Sequence, residues 1–213
     1  MRTRGVIPFK PDNPKTRLAP IMDRDERSAF ARAMLDDVVE AVRGAGAEPL
    51  ILATRPIDHP DAAVEVREGG LNEVLNDLFG RSSGPVLVIM ADLPLATEES
   101  VERLCAATGD VVLVPGRGGG TNAVLVRDPP RFRADFYGAS FLDHLRIAEE
   151  RGLETAVIDS FLLSTDIDEP GDLVEVLIHG RGRSRSVLES SGFALAVTKG
   201  RVGIQRHAHE EAL

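Results

Sequence analysis

Apolar runs of strand length alternate with helical patterns along most of the chain, and this alternation is the feature that most limits its fold. It is typical of α/β proteins with a mainly parallel sheet. The clearest strand is the uninterrupted apolar run 86–90, since a central parallel strand is buried on both faces. The clearest helix follows Asp23, where apolar residues recur every four positions and form one buried stripe. We therefore predict a mainly parallel sheet covered by helices.

The predicted elements are short and bounded by turn-forming residues. We predict strands over residues 5–9, 50–53, 63–66, 86–90, 111–114, 123–126 and, for the most part, 156–164. We predict helices over residues 23–44, 71–79, 97–107, 140–151 and 169–178. Asp23, Thr97 and Ser140 are expected to cap their helices, because short polar side chains are favoured at N-cap positions.

The composition changes after His179. Residues 180–186 alternate Gly, Arg and Ser, which predicts a mobile or anion-facing linker. Residues 193–205 predict a C-terminal β-hairpin turning at Lys199-Gly200-Arg201, and 206–213 a frayed tail. We therefore predict a main domain over 1–179 and an appendage over 180–213. A two-stranded ribbon is only marginally stable alone, so the hairpin indicates a self-associating edge and, through it, a homodimer.

The bulk composition limits the possible partners and compartment. The net charge of −9 argues against a non-specific nucleic-acid binder, and no run approaches the roughly 20 apolar residues of a membrane span. The first residues resemble no signal peptide, so we expect a cytoplasmic protein. The single cysteine, Cys105, excludes an internal disulfide and is expected to be a packed thiol.

Three aspartates follow the predicted strands. Asp92 comes directly after the run 86–90, and Asp166 and Asp168 follow the predicted strand 156–164. Strand carboxyl ends face the ligand crevice of an open α/β sheet, and carboxylates gathered there repel unless a cation joins them. We therefore predict a Mg²⁺ site at Asp92, Asp166 and Asp168. The alternative is that Asp166 and Asp168 only cap the helix at Glu169.

A cationic loop follows the first strand, and it contains two of the three lysines. Lys10, Lys15 and Arg17 lie beside the carboxyl end of that strand, where such cations can hold a triphosphate. The loop lacks the Gly-Lys-Ser/Thr of a Walker A motif. The alternative is a solvated loop without function.

Two further segments offer groups for anion binding. Gly116–Gly120 can approach a ligand closely, and Thr121 and Asn122 supply hydrogen-bonding groups, although many hairpins have such turns. Gly138 and Ser140 open a predicted helix whose N-terminus can attract phosphate, although capping alone also explains Ser140.

The histidines give weaker signals than these segments. His144 and His179 are interpreted as packed or solvated, and His207 and His209 as a less favoured chelating pair. No Ser-His-Asp arrangement or nucleophile elbow is present.

Five short motifs occur in order over residues 5–178. They are Pro8-Phe-Lys10 with Lys15-Thr-Arg17-Leu-Ala-Pro20, Met90-Ala-Asp92-Leu-Pro94, Gly119-Gly120-Thr121-Asn122, Tyr137-Gly138-Ala-Ser140, and Asp166-Ile-Asp168-Glu-Pro170. Together they resemble the 2-phospho-L-lactate guanylyltransferase family. The first two alone would indicate only the wider nucleotidyltransferase superfamily, whose other branches open with a glycine-rich loop.

The resemblance implies a Rossmann-like, three-layer, GT-A-like nucleotidyltransferase fold. It also implies transfer of GMP from GTP to (2S)-2-phospholactate, giving lactyl-2-diphospho-5'-guanosine and pyrophosphate, in coenzyme F-420 biosynthesis. By the same resemblance, Asp92, Asp166 and Asp168 would bind Mg²⁺. Lys15 and Arg17 would steady the triphosphate, and Thr121, Gly138 and Ser140 would hold the phosphorylated acid. We further predict Asp92, Lys15 and Arg17 as the catalytic set and Lys10 and Asn122 as additional binding residues.

Several alternatives stay open at this point. Phosphoenolpyruvate, used by bacterial relatives, is a second possible acceptor, and the segment Gly138–Ser140 looks one residue shorter than in some of them. Another small-molecule nucleotidyltransferase is the wider enzymatic alternative. A GT-A glycosyltransferase shares the Asp-x-Asp pattern but has no triphosphate for the cationic loop to hold. A non-catalytic nucleotide-binding regulator is disfavoured by the retained aspartates and cations.

Overall fold

A central sheet of seven strands organises the protein. The computed structural model describes residues 2–207. Its strands are β1 (Arg4–Phe9), β2 (Glu48–Ala53), β3 (Ala63–Val66), β4 (Val86–Ile89), β5 (Val111–Pro115), β6 (Thr121–Val126) and β7 (Thr155–Val157). They lie in the order β3-β2-β1-β4-β6-β5-β7, and β6 alone runs antiparallel to its neighbours. The prediction of a mainly parallel sheet is confirmed.

Helices cover both faces of this sheet. They are α1 (Arg24–Gly44), α2 (Leu71–Arg81), α3 (Glu98–Ala106), α4 (Ser140–Glu150), α5 (Phe161–Ser164), α6 (Leu173–His179) and α7 (Arg183–Ser190). Single 3₁₀ turns occur at Thr16–Leu18, Pro129–Arg131 and Pro170–Asp172. Asp23 and Thr97 are the N-caps of α1 and α3, as predicted, and each accepts a backbone hydrogen bond from the third helical residue.

Alternating strand residues divide the core into two layers. Leu87 and Ile89 of β4 face α1 and α3, whereas Val86 and Val88 face α2 and α4. This alternation follows from the period of two in a strand, and an all-apolar strand therefore serves both layers at once. The three-layer prediction is confirmed. No helix in the described range 2–207 is long and apolar enough to cross a membrane.

Two predictions near the sheet were wrong. The strand predicted over 156–164 ends at Val157, and α5 follows because the Ser160 hydroxyl accepts a hydrogen bond from the Leu163 amide at 3.4 Å. Ser140 is not an N-cap: Ala139 occupies that position, and the Ser140 hydroxyl accepts from the Thr121 amide instead. In both cases a hydroxyl hydrogen bond that the sequence pattern does not specify decides the local structure.

The prediction of a linker over 180–186 was also wrong, because α7 begins at Arg183 and includes most of this segment. The hairpin prediction is confirmed: β8 (Phe193–Thr198) pairs antiparallel with β9 (Arg201–Arg206). The frayed tail predicted over 206–213 lies, from residue 208 onwards, outside the described residues, as does His209.

A third apolar cluster joins the C-terminal segment to the cationic loop. Leu188 and Phe193 pack with α1 residues, with Leu18 beside Arg17 and with Ile167 beside Asp168. All of these apolar side chains are buried, with at most 3% exposure. Residues 183–193 therefore form part of the support beneath the predicted site.

A buried carboxylate fastens α7 to α1. Asp37 accepts hydrogen bonds from the Arg183 amide at 2.6 Å, the Ser184 amide at 3.0 Å and the Ser184 hydroxyl at 2.5 Å. Burial raises the pKa of Asp37, and the hydrogen bonds from Ser184 and Arg183 oppose that rise. The sequence pattern gave no sign of this contact.

We predict that Asp37→Ala lowers the free energy of unfolding by about 2–3 kcal/mol, because three donors lose their acceptor. Urea unfolding measures the loss. Glu40→Ala, an exposed acid on the same helix, is the matched control and should change stability by less than about 0.5 kcal/mol. An equal effect of the two substitutions would contradict the role given to Asp37.

Candidate active site

The candidate site lies where β1 and β4 end, and backbone hydrogen bonds bring two other segments to this edge. β6 starts here because it runs antiparallel to β4, and the Met90 amide donates to the Asn122 carbonyl at 3.0 Å. The Ile167 amide donates to the Asp92 carbonyl at 3.1 Å, which places Asp166 and Asp168 beside the end of β4. The topology therefore gathers segments distant in sequence at the edge where α/β sheets bind ligands.

The ammonium of Lys15 is the centre of this site. Lys15 Nζ donates to Asp92 Oδ2 and to Asp168 Oδ1, each at 2.8 Å, and the lysine side chain is 11% exposed. Burial lowers the pKa of Lys15, but the charges of Asp92 and Asp168 together outweigh it and hold the pKa above its ordinary value. The lysine is therefore a charged bridge between two carboxylates.

The other two predicted cations lie further out. Arg17 donates to Asp168 Oδ2 at 3.2 Å, and its side chain is 66% exposed. Lys10 is exposed and lines the same cavity of about 410 Å³, which the cationic loop shares with Asp92 and Asp168. This cavity combines exposed positive charge with paired carboxylates on its wall.

The backbone of the cationic loop is held in an uncommon conformation. Asn13 and Lys15 have φ values of 44° and 50°, the left-handed region that non-glycine residues seldom adopt. The buried Arg27 of α1 supports it by donating to the Pro14 carbonyl at 3.2 Å, the Met22 carbonyl at 3.1 Å and Asn13 Oδ1 at 2.8 Å. Strained residues persist only where such surroundings fix them, and they cluster at functional sites.

Asp166 has a different partner from Asp168. Asn122 is buried, and its Nδ2 donates to Asp166 Oδ1 at 3.2 Å and to the Leu163 carbonyl at 3.0 Å. Within residues 2–207, no three His, Cys, Asp or Glu side chains are grouped as a metal site would require. The structure thus brings together Asp92 and Asp168 of the predicted triad, and Asp166 lies with Asn122.

The capping alternative for the two late aspartates was wrong. Asp172 Oδ2 accepts from the amides of Asp168 at 2.9 Å and Glu169 at 2.7 Å. The side chains of Asp166 and Asp168 instead contact Asn122 and the two cations of the loop.

A second polar cluster lies at the start of β6. Thr121, Ser140 and His144 are all buried, and Thr121 Oγ1 lies 2.8 Å from His144 Nδ1. Ser140 Oγ accepts from the Thr121 amide at 2.9 Å. Gly138, just before α4, is exposed with a φ of 56°, which glycine adopts without strain. The hydroxyls predicted to bind the acid thus belong to one hydrogen-bonded network.

His144 and Arg27 are the two site residues that sequence reasoning missed. His144 is fully buried, and its Nε2 accepts a hydrogen bond from the Asp135 amide at 2.9 Å. Burial lowers the pKa of His144 to about 4 against the opposing charges of Asp135 and Asp143. The burial of Arg27 could have been predicted, because its helical spacing from Phe30 and Met34 places it on the buried stripe of α1.

A larger cleft of about 840 Å³ lies elsewhere, between α1, α3 and α7. It is lined by acids and arginines in a mixed arrangement, and none of the predicted site residues borders it. The smaller cavity at Lys15 is therefore the candidate active site.

Comparison with solved structures identifies the fold. A putative nucleotide-diphospho-sugar transferase from Desulfovibrio desulfuricans matches with a TM-score of 0.72 at 18% identity, covering 90% of this chain and 96% of that one. A nucleotidyl transferase from Methanothermobacter thermautotrophicus matches with a TM-score of 0.57 at 13% identity, covering 89% and 99%. The fold agrees with the sequence relatives and the family model described next, and together they define the class of the protein, a nucleotidyltransferase.

Sequence comparison then identifies the family. The family model with the description "Guanylyl transferase CofC like" matches residues 3–207 of this chain. A 2-phospho-L-lactate guanylyltransferase of Methanoculleus marisnigri is 55% identical over the whole of both chains. The enzymes of that name from Methanoregula boonei and Halomicrobium mukohataei are each 52% identical, over 97% and 95% of this chain and 96% and 99% of their own. The chain belongs to this family of guanylyl transferases.

The buried histidine predicts a pH dependence of stability. The pKa of His144 is about 4 in the folded protein and about 6.5 when unfolded, so the unfolded state binds more protons between these values. Its contribution is present above the unfolded pKa and is lost as the pH falls toward the folded pKa. When the pH falls from 7 to 5, the free energy of unfolding should therefore drop by about 2 kcal/mol more in the wild type than in His144→Gln. Urea midpoints at both pH values measure this, and parallel losses in the two proteins would contradict it.

Proposed function

We propose that the protein transfers GMP from GTP to (2S)-2-phospholactate and releases pyrophosphate, a step toward coenzyme F-420. The observation that carries this proposal is the Lys15 bridge between Asp92 and Asp168 beside a cavity that Lys10 and Arg17 also line. The family model and the names of relatives at 46–55% identity support the choice of substrates. None of those names supports phosphoenolpyruvate as the acceptor.

The donor set at Asp92 and Asp168 fits a Mg²⁺ ion. Both offer hard oxygen ligands, both already share one positive charge at 2.8 Å, and Mg²⁺ is commonly held by one or two carboxylates plus substrate phosphates. When bound, such an ion would neutralise charge on the reacting phosphates. Asp166 is the third proposed ligand, and its Oδ1 already accepts a hydrogen bond from Asn122.

The residues of the chain would align two anions that repel each other. A phosphate oxygen of the acceptor forms a bond to the α-phosphorus of GTP, and the bond from that phosphorus to the bridging oxygen of pyrophosphate breaks. The acceptor phosphate is already ionised near neutral pH, so no strong general base is needed. Lys10, Lys15 and Arg17 would hold the triphosphate and the leaving pyrophosphate, so that positioning and charge neutralisation supply the catalysis.

The acceptor would lie against the other polar cluster. Thr121 and Ser140 are hydrogen-bonded at the start of β6 and α4, and Gly138 comes just before α4. The Phe141 amide donates to the Gly119 carbonyl at 3.3 Å, which joins the glycine-rich turn to the helix. Pyrophosphate release with GTP and phospholactate, compared with GTP and phosphoenolpyruvate, tests the choice of acid. Faster turnover with phosphoenolpyruvate would contradict the proposal.

A homodimer and a cytoplasmic location complete the proposal. Leu195, Val197 and Val202 on the C-terminal hairpin are 41%, 72% and 52% exposed, which favours self-association of this ribbon. Sedimentation of the full chain measures its oligomeric state.

We predict that Asp92→Ala reduces kcat at least about 100-fold, comparable to the loss of one strong electrostatic contact in a transition state. Initial rates of pyrophosphate release with saturating GTP and phospholactate measure the loss. Asp159→Ala, which removes an exposed acid that does not line this cavity, is the control and should retain wild-type turnover. A folded Asp92→Ala protein with near-normal kcat would remove this carboxylate from the catalytic set.

We predict that Lys15→Met strengthens Mn²⁺ binding in the absence of nucleotide by about tenfold or more, because the ammonium no longer competes for the two carboxylates. Mn²⁺ titration by calorimetry or electron paramagnetic resonance measures the affinity. Lys10→Met, which removes a charge from the same cavity without touching either carboxylate, is the matched control and should bind like wild type. Equal affinity in Lys15→Met and wild type would mean that Lys15 does not compete with the ion.

A further inference from the structure

The hydroxyl of Thr121 has an unusually well-defined hydrogen-bonding environment. Its oxygen lies 2.8 Å from His144 Nδ1 and accepts from the Ser140 hydroxyl at 3.4 Å. The Thr121 amide, by contrast, donates to Ser140 Oγ. Which atom donates between Thr121 and His144 depends on where the imidazole carries its proton.

The backbone at Asp135 decides the protonation of this ring. The Asp135 amide donates to His144 Nε2 at 2.9 Å, so Nε2 must offer a lone pair and carries no proton. A doubly protonated ring would set two N–H groups against each other at that contact. A neutral ring therefore carries its proton on Nδ1, and Nδ1–H donates to Thr121 Oγ1.

The ring cannot easily exchange these two contacts by rotating. Its centroid lies 4.8 Å from the ring of Phe136 and 5.6 Å from that of Phe132, and His144 has no exposed surface. The orientation that the Asp135 amide selects is therefore also held by packing.

The consequence for Thr121 concerns its own hydrogen. The oxygen accepts from His144 Nδ1 at 2.8 Å, so its own hydrogen points away from the imidazole. The Ser140 hydroxyl lies 3.4 Å away, which is longer than an ordinary O–H···O hydrogen bond. The Thr121 hydroxyl can therefore donate to a ligand, which suits a phosphate or carboxylate oxygen.

We propose that His144 is a positioning residue that fixes the Thr121 hydroxyl as a hydrogen-bond donor to an oxygen of the acidic acceptor. This inference rests on the proposed function, because it assigns the acceptor rather than GTP to the cluster at Thr121. It predicts that the contact from Nδ1 matters for acceptor binding and that the contact to Nε2 matters for folding.

Two substitutions separate these contacts. The amide nitrogen of Asn lies near the position of Nδ1, so His144→Asn retains a donor to Thr121. The amide oxygen of the longer Gln reaches toward Nε2, so His144→Gln retains an acceptor for the Asp135 amide and loses the Thr121 donor. We expect His144→Gln to raise KM for phospholactate about tenfold, with KM for GTP unchanged, and His144→Asn to restore it to within about threefold of wild type.

Thr121→Val tests the same contact from its other side. It should raise KM for phospholactate to the same extent, and adding His144→Gln to Thr121→Val should raise it no further, because the shared contact is already absent. Equal effects of His144→Asn and His144→Gln, or a parallel rise in KM for GTP, would show a merely structural histidine and overturn the inference.

The imidazole tautomer gives a readout that needs no turnover. Two-bond proton–nitrogen correlation spectra of the wild-type protein should show His144 protonated at Nδ1, and a proton at Nε2 would overturn the inference. Absence of pyrophosphate release by wild type with GTP and either acid would instead contradict the proposed function, whatever the tautomer. The two failures are therefore distinguishable.

Discussion

The candidate site depends on one lysine placed between two carboxylates. Asp92 and Asp168 both contact Lys15 Nζ at 2.8 Å, and they are far from the lysine in sequence. Two like charges about 4 Å apart repel by about 4 kcal/mol at an effective dielectric constant of 20, so a positive charge between them is required to keep them close. The proposed substrate, a nucleotide carried with a divalent cation, would meet the same requirement because the ion brings its own positive charge.

Most of the fold was predictable because strand and helix periods differ. The apolar run 86–90 and the four-residue spacing on α1 specify a two-faced strand and a one-faced helix, and the structure has both. Errors occurred where a polar contact decides the structure. Ser160 caps α5 inside an apolar run, and Asp37 holds the start of α7 in a segment rich in Gly, Arg and Ser. Such contacts have no periodic signature.

The candidate site was predictable in part for a related reason. Lys15 follows β1 and Asp92 follows β4, and because parallel strands end at one edge these two residues were expected to meet, as they do. Asp168 joins them as predicted, but through the hydrogen bond from the Ile167 amide to the Asp92 carbonyl and not through a strand end. The separate contact of Asp166 with Asn122 was not predictable, since a spacing of two residues does not determine which partner each side chain finds. His144 was missed because a lone histidine on a helix gives no sign of being buried against a threonine.

The third apolar cluster has a consequence for biosynthesis. Leu18 beside the cationic loop and Ile167 beside Asp168 are buried against Leu188 and Phe193, near the end of the chain. A ribosome makes the cationic loop long before it makes Leu188 and Phe193, so a growing chain carries Lys15 and Arg17 before the apolar side chains that support them. The edge that carries Lys15 and Arg17 therefore reaches its final shape only after residue 193 has been made.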